Sequence, residues 1–203
     1  MELFVARHGE TDYNKQKRWQ GSGIDSPLTP LGVEQAKILG KSLEGMEFDA
    51  IYSSPLKRAM VTACIAFNDL ALFEGKGVTD VRLREIGLGE AEGMSYKEVS
   101  EKFSETFRTL MYDPVAYVRP LGGEAIQDVI VRVDSFLQEL AAMPHKRVFV
   151  QTHGYVMRII YACSQDKSLE AVHAAPRFNN CELWKYIYDD VKRRFEIVQP
   201  SGD

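Results

Sequence analysis

The chain has 203 residues, 45% of them hydrophobic and 27% charged, with a net charge of -4. That length supports one substantial core, is short for two, and leads us to expect a single domain over 1-203. An acidic balance without a dominant basic face excludes an ordinary nucleic-acid binder, and no apolar run approaches the ~20 residues of a membrane helix.

The first residues enter an apolar run without a positively charged leader, so no secretion signal is expected and a cytoplasmic protein is. Cys64, Cys163 and Cys181 are an odd set without metal-ligand spacing, expected to be reduced, buried thiols.

Leu3 to Ala6 reads as a buried strand that stops at Arg7-His8-Gly9-Glu10-Thr11. In open α/β sheets ligands bind beyond the carboxyl ends of strands, so Arg7 and His8 stand where a site is expected. A polar loop without repeating pattern, Asp12 to Asp25, follows and carries Asn14, Arg18, Trp19, Gln20 and Gly21. A loop of that length after a strand is usually functional. Thr29-Pro30 opens a helix with a cap residue and a first-turn proline, and Leu31, Ala36, Leu39 and Leu43 form its core-facing stripe.

Ala50 to Ser53 is a second strand, and Ser54-Pro55 repeats the cap-plus-proline start for a helix over Pro55 to Phe67. Arg58 then falls in the first turn, beside unpaired backbone N–H groups and the positive end of the helix dipole. Val78 to Arg82 is a weaker strand, with Glu85 just beyond it. Glu90 and Glu92 lie in the glycine-punctuated turn that follows. Tyr96 to Tyr112 is helical and aromatic, serving either as a cap over the site or as packing.

Ile126 to Leu140 is a helix with a wide apolar stripe. Val148 to Val150 repeats the opening arrangement, a strand running into Thr152-His153-Gly154, and a helix then carries Tyr155, Ile159 and Ile160. Glu182 to Tyr188 and Arg194 to Val198 make a closing hairpin over the polar turn at Asp189-Asp190. Alternating strands and helices give an α/β class: a three-layer α/β/α sandwich with a mostly parallel central sheet and an antiparallel edge strand.

Arg7, His8, Asn14, Arg58, Glu85, His153 and the Gly154 backbone all sit past strand ends or in first turns of helices. Two arginines and an amide around two histidines match a phosphoryl group, whose oxygens the planar guanidinium can bind in pairs. Two histidines with a carboxylate could hold zinc, but the arginines would repel a cation and no HxxxH or HxH spacing occurs, so no metal and no cofactor are expected. Without a metal to activate water, a histidine nucleophile is the natural solution. A protonated second histidine and the arginines would stabilise the charge, and Glu85 would protonate the leaving alkoxide. Glu90 and Glu92 are the rivals for that acid.

Arg7-His8-Gly9-Glu10-Thr11, Asn14, Gln20-Gly21, Asp25-Ser26-Pro27-Leu28-Thr29, Gly32, Gln35-Ala36, Ser53-Ser54-Pro55-Leu56-Lys57-Arg58-Ala59, Thr62-Ala63 and Thr152-His153-Gly154 together resemble the histidine phosphatase superfamily, the phosphoglycerate mutase-like family. The resemblance spans Leu3 to Gly154. It implies that His8 is phosphorylated, that Arg7, Asn14, Arg58 and His153 hold the phosphate, and that Glu85 is the proton donor. Pro120-Leu121-Gly122-Gly123-Glu124 is similar to the family's Pro-x-Gly-Gly-Glu, but Ala125 stands where a hydroxyl residue commonly follows, which weakens the start of the next helix.

In the mutase branch of the family the acid-bearing segment usually continues into His-Tyr-Gly, whereas Glu85 is followed by Ile86-Gly87-Leu88-Gly89-Glu90. A phosphatase acting on a small phosphorylated metabolite is therefore expected, the alternatives being a phosphoglycerate mutase or a non-catalytic phosphate-binding module. Arg18, Trp19, Gln20, Ile24, Tyr96, Phe107, Met111, Tyr117 and Tyr155 are expected at the rim. Tyr155 stands where many relatives have a small residue, and it either narrows the mouth or packs on a neighbouring helix. An edge strand such as Glu182 to Tyr188 would allow pairing in a homodimer. His145 and His173 are expected to be solvated or structural.

Overall fold

The computed structural model describes residues 1–198. In chain order it runs β1 (Glu2–Arg7), α1 (Asp12–Lys15), α2 (Pro30–Ser42), β2 (Ala50–Ser53), α3 (Lys57–Ala66), α4 (Leu72–Gly75) and β3 (Gly77–Thr79). Then come α5 (Tyr96–Lys102), α6 (Ser104–Tyr112), α7 (Ile126–Ala141), β4 (Arg147–Thr152), α8 (Gly154–Cys163), α9 (Leu169–Ala174), β5 (Leu183–Asp189) and β6 (Arg194–Val198). The strands form one mixed sheet in the order β3-β2-β4-β1-β5-β6. β3, β2, β4 and β1 are mutually parallel, β5 runs antiparallel to β1, and β6 antiparallel to β5.

Alternation along the strands builds the layers, because successive side chains leave opposite faces of a sheet. Leu3, Val5, Val148 and Val150 face one way, into a cluster with Val129, Val133 and Leu137 of α7 and Val156 and Ile160 of α8. Phe4, Ala6 and Phe149 face the other way, into a smaller cluster with Leu39, Leu43, Phe48 and Phe67. Both faces of β1 and β4 are thus covered, as parallel strands require, and the three-layer expectation holds.

Several local expectations change. The loop after β1 is interrupted by α1, which Thr11 and Asn14 start as a reciprocal capping box. Leu31 is 54% exposed; the buried residues of α2 are Gly32, Ala36 and Leu39, and Leu31 lies off that face. α3 begins at Lys57 and not at Pro55; its N-cap is Leu56, which supplies no side-chain cap, while the Ser54 hydroxyl lies 2.7 Å from His153 Nε2 and accepts from the Leu56 N–H at 3.3 Å. The strand expected over Val78 to Arg82 ends at Thr79. Asp80 then accepts from the Arg82 backbone N–H and turns residues Val81–Leu83 into a 3-10 helix. The aromatic helix is two helices meeting at Phe103.

β5 is not an edge: it is paired on both sides, and β6 is the outer strand, so Glu182 to Tyr188 has no free ladder to offer a second copy. Only Cys163 is fully buried; Cys64 and Cys181 are half-buried, and all three are free thiols. α7 starts without a side-chain cap at Ala125, as the sequence suggested. No helix among the described residues is long and apolar enough to cross a membrane.

Candidate active site

The two central strands end together. Parallel pairing of β1 and β4 sets Arg7 opposite Thr152, and the His8 backbone N–H donates to the Thr152 carbonyl at 2.9 Å. One residue further, His8 and His153 must be neighbours at about the 4.8 Å inter-strand spacing. Their ring centroids are 5.2 Å apart, with planes at 59°.

Each ring is held by a specific partner. His8 is 3% exposed, and its Nδ1 lies 2.7 Å from its neighbour Gly9's carbonyl oxygen. A carbonyl only accepts, so Nδ1 carries the hydrogen and the Nε2 lone pair is left free. Burial, then Arg58 and Arg7, push the His8 imidazole well below its ordinary value, so it is neutral around pH 7. His153 is fully buried with Nε2 2.7 Å from the Ser54 hydroxyl, and its Nδ1 has no partner among the described residues. Burial and Arg58 hold it neutral as well, which corrects the expectation of a protonated second histidine. What it offers is a buried, unpaired Nδ1.

A cleft of about 430 Å³ opens over this pair. Arg7, His8, Asn14, Gln20, Gly21, Arg58, Glu85, Gly154 and Tyr155, nine of the ten expected site residues, line it; the fully buried His153, in contact with His8, does not. Arg7 donates from Nη1 to the Phe178 carbonyl at 2.9 Å, and its Nε is buried without a partner among the described residues. A Cβ on Gly154 would stand 3.2 Å from that Nε, so the glycine is what lets the guanidinium pack against the start of α8.

Arg58 is 2% exposed, not solvated. Nη1 donates to Asp25 Oδ1 at 2.9 Å and to the Ile24 carbonyl, and Nη2 donates to the Gly21 carbonyl at 2.7 Å. Its Nε has no partner among the described residues. The guanidinium therefore fixes the 21–25 loop while remaining on the cleft wall.

Asn14 Oδ1 accepts from the Thr11 backbone N–H, and Gln20 bridges Thr11 and Ser26. Gly9 meets Gly32 so closely that a Cβ on Gly9 would stand 2.6 Å from the Gly32 carbonyl oxygen, which seats the histidine loop against α2.

Glu85 is positioned from two sides. Its Oε1 accepts from the Ile86 N–H at 3.0 Å and its Oε2 from the Tyr155 N–H, in the first turn of α8, at 3.2 Å. Arg132 of α7 donates to the Glu85 carbonyl and is paired with Glu124 at 2.7 Å, and Glu124 also accepts from the Gly87 N–H. The rival carboxylates are outside the cleft. Glu92 accepts from the Ser22, Gly23 and Leu88 N–H groups and is a loop clamp, and Glu90 does not line the cavity.

Of the expected rim, Arg18, Trp19, Gln20, Tyr96, Met111 and Tyr155 line the cleft, whereas Ile24, Phe107 and Tyr117 do not. Phe107 acts one layer out, stacked on Trp19 at 6.0 Å. The cap is laced to the loop below it: Trp19 N–H donates to the Met94 carbonyl, Gly93 N–H to Trp19, and Tyr96 N–H to Lys17. His145 is half-buried and His173 exposed, both away from the cleft.

Sequence reasoning missed Ser54, Arg158, Arg177 and Asn180. Asn180 donates to the His8 carbonyl at 2.9 Å. Arg158, Arg177, Asn179 and Asn180 line the cleft from α8 and from the segment before β5. A signal existed for Arg158 alone, since it lies just over one turn beyond Gly154 on the same helix. Among the described residues no group of three or more His, Cys, Asp or Glu side chains gathers as a metal site would need.

A family model described as the histidine phosphatase superfamily (branch 1) matches residues 3–199. Phosphoserine phosphatase 1 of Hydrogenobacter thermophilus is 36% identical over 165 residues, covering 79% of this chain and 74% of that protein. Fructose-2,6-bisphosphatase TIGAR of Xenopus tropicalis is 37% identical over 142 residues, covering 70% of this chain and 50% of that protein. Among solved structures, Bacillus stearothermophilus YhfR superposes with a TM-score of 0.87 at 32% identity, covering 100% of this chain and 96% of that one.

Proposed function

This chain belongs to the histidine phosphatase superfamily, branch 1, and we propose that it hydrolyses a small organic phosphate monoester through a phosphohistidine formed on His8. The observation that carries this is the bond from His8 Nδ1 to the Gly9 carbonyl, which presents a neutral Nε2 lone pair to the cleft. That is the state a nucleophilic imidazole needs.

In the first step His8 Nε2 forms a bond to phosphorus as the ester oxygen departs. Glu85, as the carboxylic acid, gives that oxygen its proton, and the alcohol leaves. In the second step water attacks the phosphohistidine, its proton passes to Glu85, and inorganic phosphate is released with His8 restored. Charge spread over the phosphoryl oxygens is met by Arg7, Arg58, the Asn14 amide and His153, whose unpaired Nδ1 carries a hydrogen in the tautomer where the Ser54 hydroxyl donates to Nε2, groups held in place before substrate arrives. Gln20 and Gly21 shape the wall beside Arg58, and the Gly154 and Tyr155 backbone closes the opposite side.

The similarity to proteins named phosphoserine phosphatase and fructose-2,6-bisphosphatase supports a monoester hydrolase. We read the whole chain as one such domain, independent of any metal.

The test is hydrolysis of p-nitrophenyl phosphate with and without EDTA, combined with rapid denaturation of the enzyme during turnover. We expect EDTA-resistant release of phosphate and a phosphoprotein whose linkage survives base and is lost in acid. A phosphoprotein stable in acid, or activity that EDTA abolishes, would overturn the assignment.

A further inference from the structure

The two floor histidines have their hydrogens placed in different ways. At His8 the partner is a carbonyl, which can only accept, so one contact settles the tautomer. At His153 the partner is the Ser54 hydroxyl, 2.7 Å from Nε2, and a hydroxyl can donate or accept. The tautomer therefore depends on what else Ser54 bonds to.

Ser54 is fully buried. Its Oγ accepts from the Leu56 backbone N–H at 3.3 Å and meets the His153 ring, and these are its side-chain bonds among the described residues. With one lone pair taken by Leu56, the single hydroxyl hydrogen has one acceptor in reach, His153 Nε2. Were Nε2 to carry the hydrogen instead, two groups would be stranded: the Ser54 O–H would lack an acceptor, and the buried Nδ1 would keep a lone pair without a donor. Each stranded buried group carries a desolvation penalty. The form with one orphan, Nδ1–H, therefore prevails over the form with two.

The local chain builds this arrangement. Ser53 pairs with Gln151 across the parallel strands β2 and β4, and the Ser54 N–H donates to the Gln151 carbonyl, which carries the hydroxyl to the ring two residues further along β4. Pro55 has no N–H, so the first backbone donor past Ser54 is that of Leu56, and the hydroxyl takes it in a local side-chain turn. The orphan that results is useful. The His153 ring lies 5.2 Å from that of His8, and a buried N–H beside the nucleophile is a donor ready for a phosphoryl oxygen. A lone pair in its place would repel that oxygen.

We propose that Ser54 is a positioning residue for phosphoryl transfer: held by the Leu56 N–H, its hydroxyl donates to Nε2 and so fixes His153 as the Nδ1–H tautomer. This rests on the phosphatase reading of the cleft and adds a residue that acts through His153.

Long-range proton–nitrogen NMR of protein labelled with nitrogen-15 histidine reads ring tautomers directly, and the His8→Asn variant identifies which buried ring is His153. In the wild-type protein at pH 7.5, His153 should carry its hydrogen on Nδ1. In Ser54→Ala neither ring nitrogen has a partner, and the ring should become a mixture of tautomers. The kcat/KM for p-nitrophenyl phosphate should then fall at least by the inverse of the remaining Nδ1–H fraction, about twofold for an even mixture and about tenfold where a tenth remains. Ser54→Thr, which keeps the hydroxyl, should restore the single tautomer and most of the activity.

A wild-type His153 with its hydrogen on Nε2 would overturn the proposal whether or not any variant folds. So would a Ser54→Ala protein that loses activity with the Nδ1–H tautomer intact, since Ser54 would then be structural alone, or one whose tautomer shifts while activity stays unchanged. Failure of the phosphatase reading is seen separately, as absence of p-nitrophenyl phosphate hydrolysis by the wild-type protein.

Discussion

At the floor of the cleft His8 and His153 are 3% and 0% exposed, and His8 is tied through its N–H, its carbonyl and its Nδ1. At the rim, Arg177 is exposed and free of side-chain bonds among the described residues, and Tyr96 is 37% exposed. The floor hangs on the register of the two middle strands of the sheet, which cannot slip by one residue without turning Leu3 and Val5 out of their core. The rim has no strand register behind it; its backbone is tied locally, by the bonds between residues 17–19 and 93–96, and side chains such as Arg177 are not tied at all among the described residues. Chemistry is thus fixed by the fold, while recognition is left to side chains that can change without disturbing it.

The largest effect that could break this division is at the nucleophile. His8→Ala should lose at least about 10³-fold in kcat on p-nitrophenyl phosphate, because no other cleft group can take the phosphoryl group. His8→Asn, nearer in volume, should be equally inactive. An active variant of either kind would move the chemistry elsewhere. Next is the acid. Glu85→Gln should cost about 10²–10⁴-fold with an alkyl phosphate, and much less with p-nitrophenyl phosphate, whose leaving group scarcely needs a proton. Equal losses on both substrates would mean that Glu85 only supports the Tyr155 N–H.

The smallest effect is on stability and sharpens the contrast from the other side. Both floor histidines have folded-state pKa values pushed well below the ordinary 6.5, so below pH 6.5 the unfolded chain binds protons that the native chain refuses. The stability they contribute is full above that pH and is lost as pH falls, by at most about 1.4 kcal/mol per pH unit for each ring. Denaturant unfolding at pH 7.5, 6.5 and 5.5 should show the decline. It should be shallower in His8→Asn, whereas replacing the exposed His173 should leave the slope unchanged.

The floor was legible because its signals are covalently local. An apolar run ending in Arg7-His8-Gly9 and another in Thr152-His153-Gly154 are both visible without coordinates, and parallel pairing then leaves little choice about where the rings go. What failed to show depended on competition between partners. Ser54 looked like a cap of a helix beginning at Pro55, yet α3 begins at Lys57, and the Ser54 hydroxyl serves His153 as well as accepting from the Leu56 N–H. The sequence favours Glu85 over Glu92, but the rival is set aside only by the fold, where Glu92 gathers the Ser22, Gly23 and Leu88 N–H groups away from the cleft that Glu85 lines. β5 looked like an outer strand until the hairpin was seen to place β6 outside it. Arg177 and Asn180 come from a segment without periodicity and reach the cleft only by tertiary folding.

The stitching of residues 17–19 to 93–96 has a mechanical meaning. Three backbone bonds in so short a span leave no hinge between the aromatic cap and the strip of chain beneath it, so the two shift as a single plate. The same strip continues to Gly21, whose carbonyl Arg58 grips. Any displacement of the cap would therefore pull on the Gly21 carbonyl that Arg58 holds, so the outermost layer of the mouth is coupled to a side chain on the cleft wall.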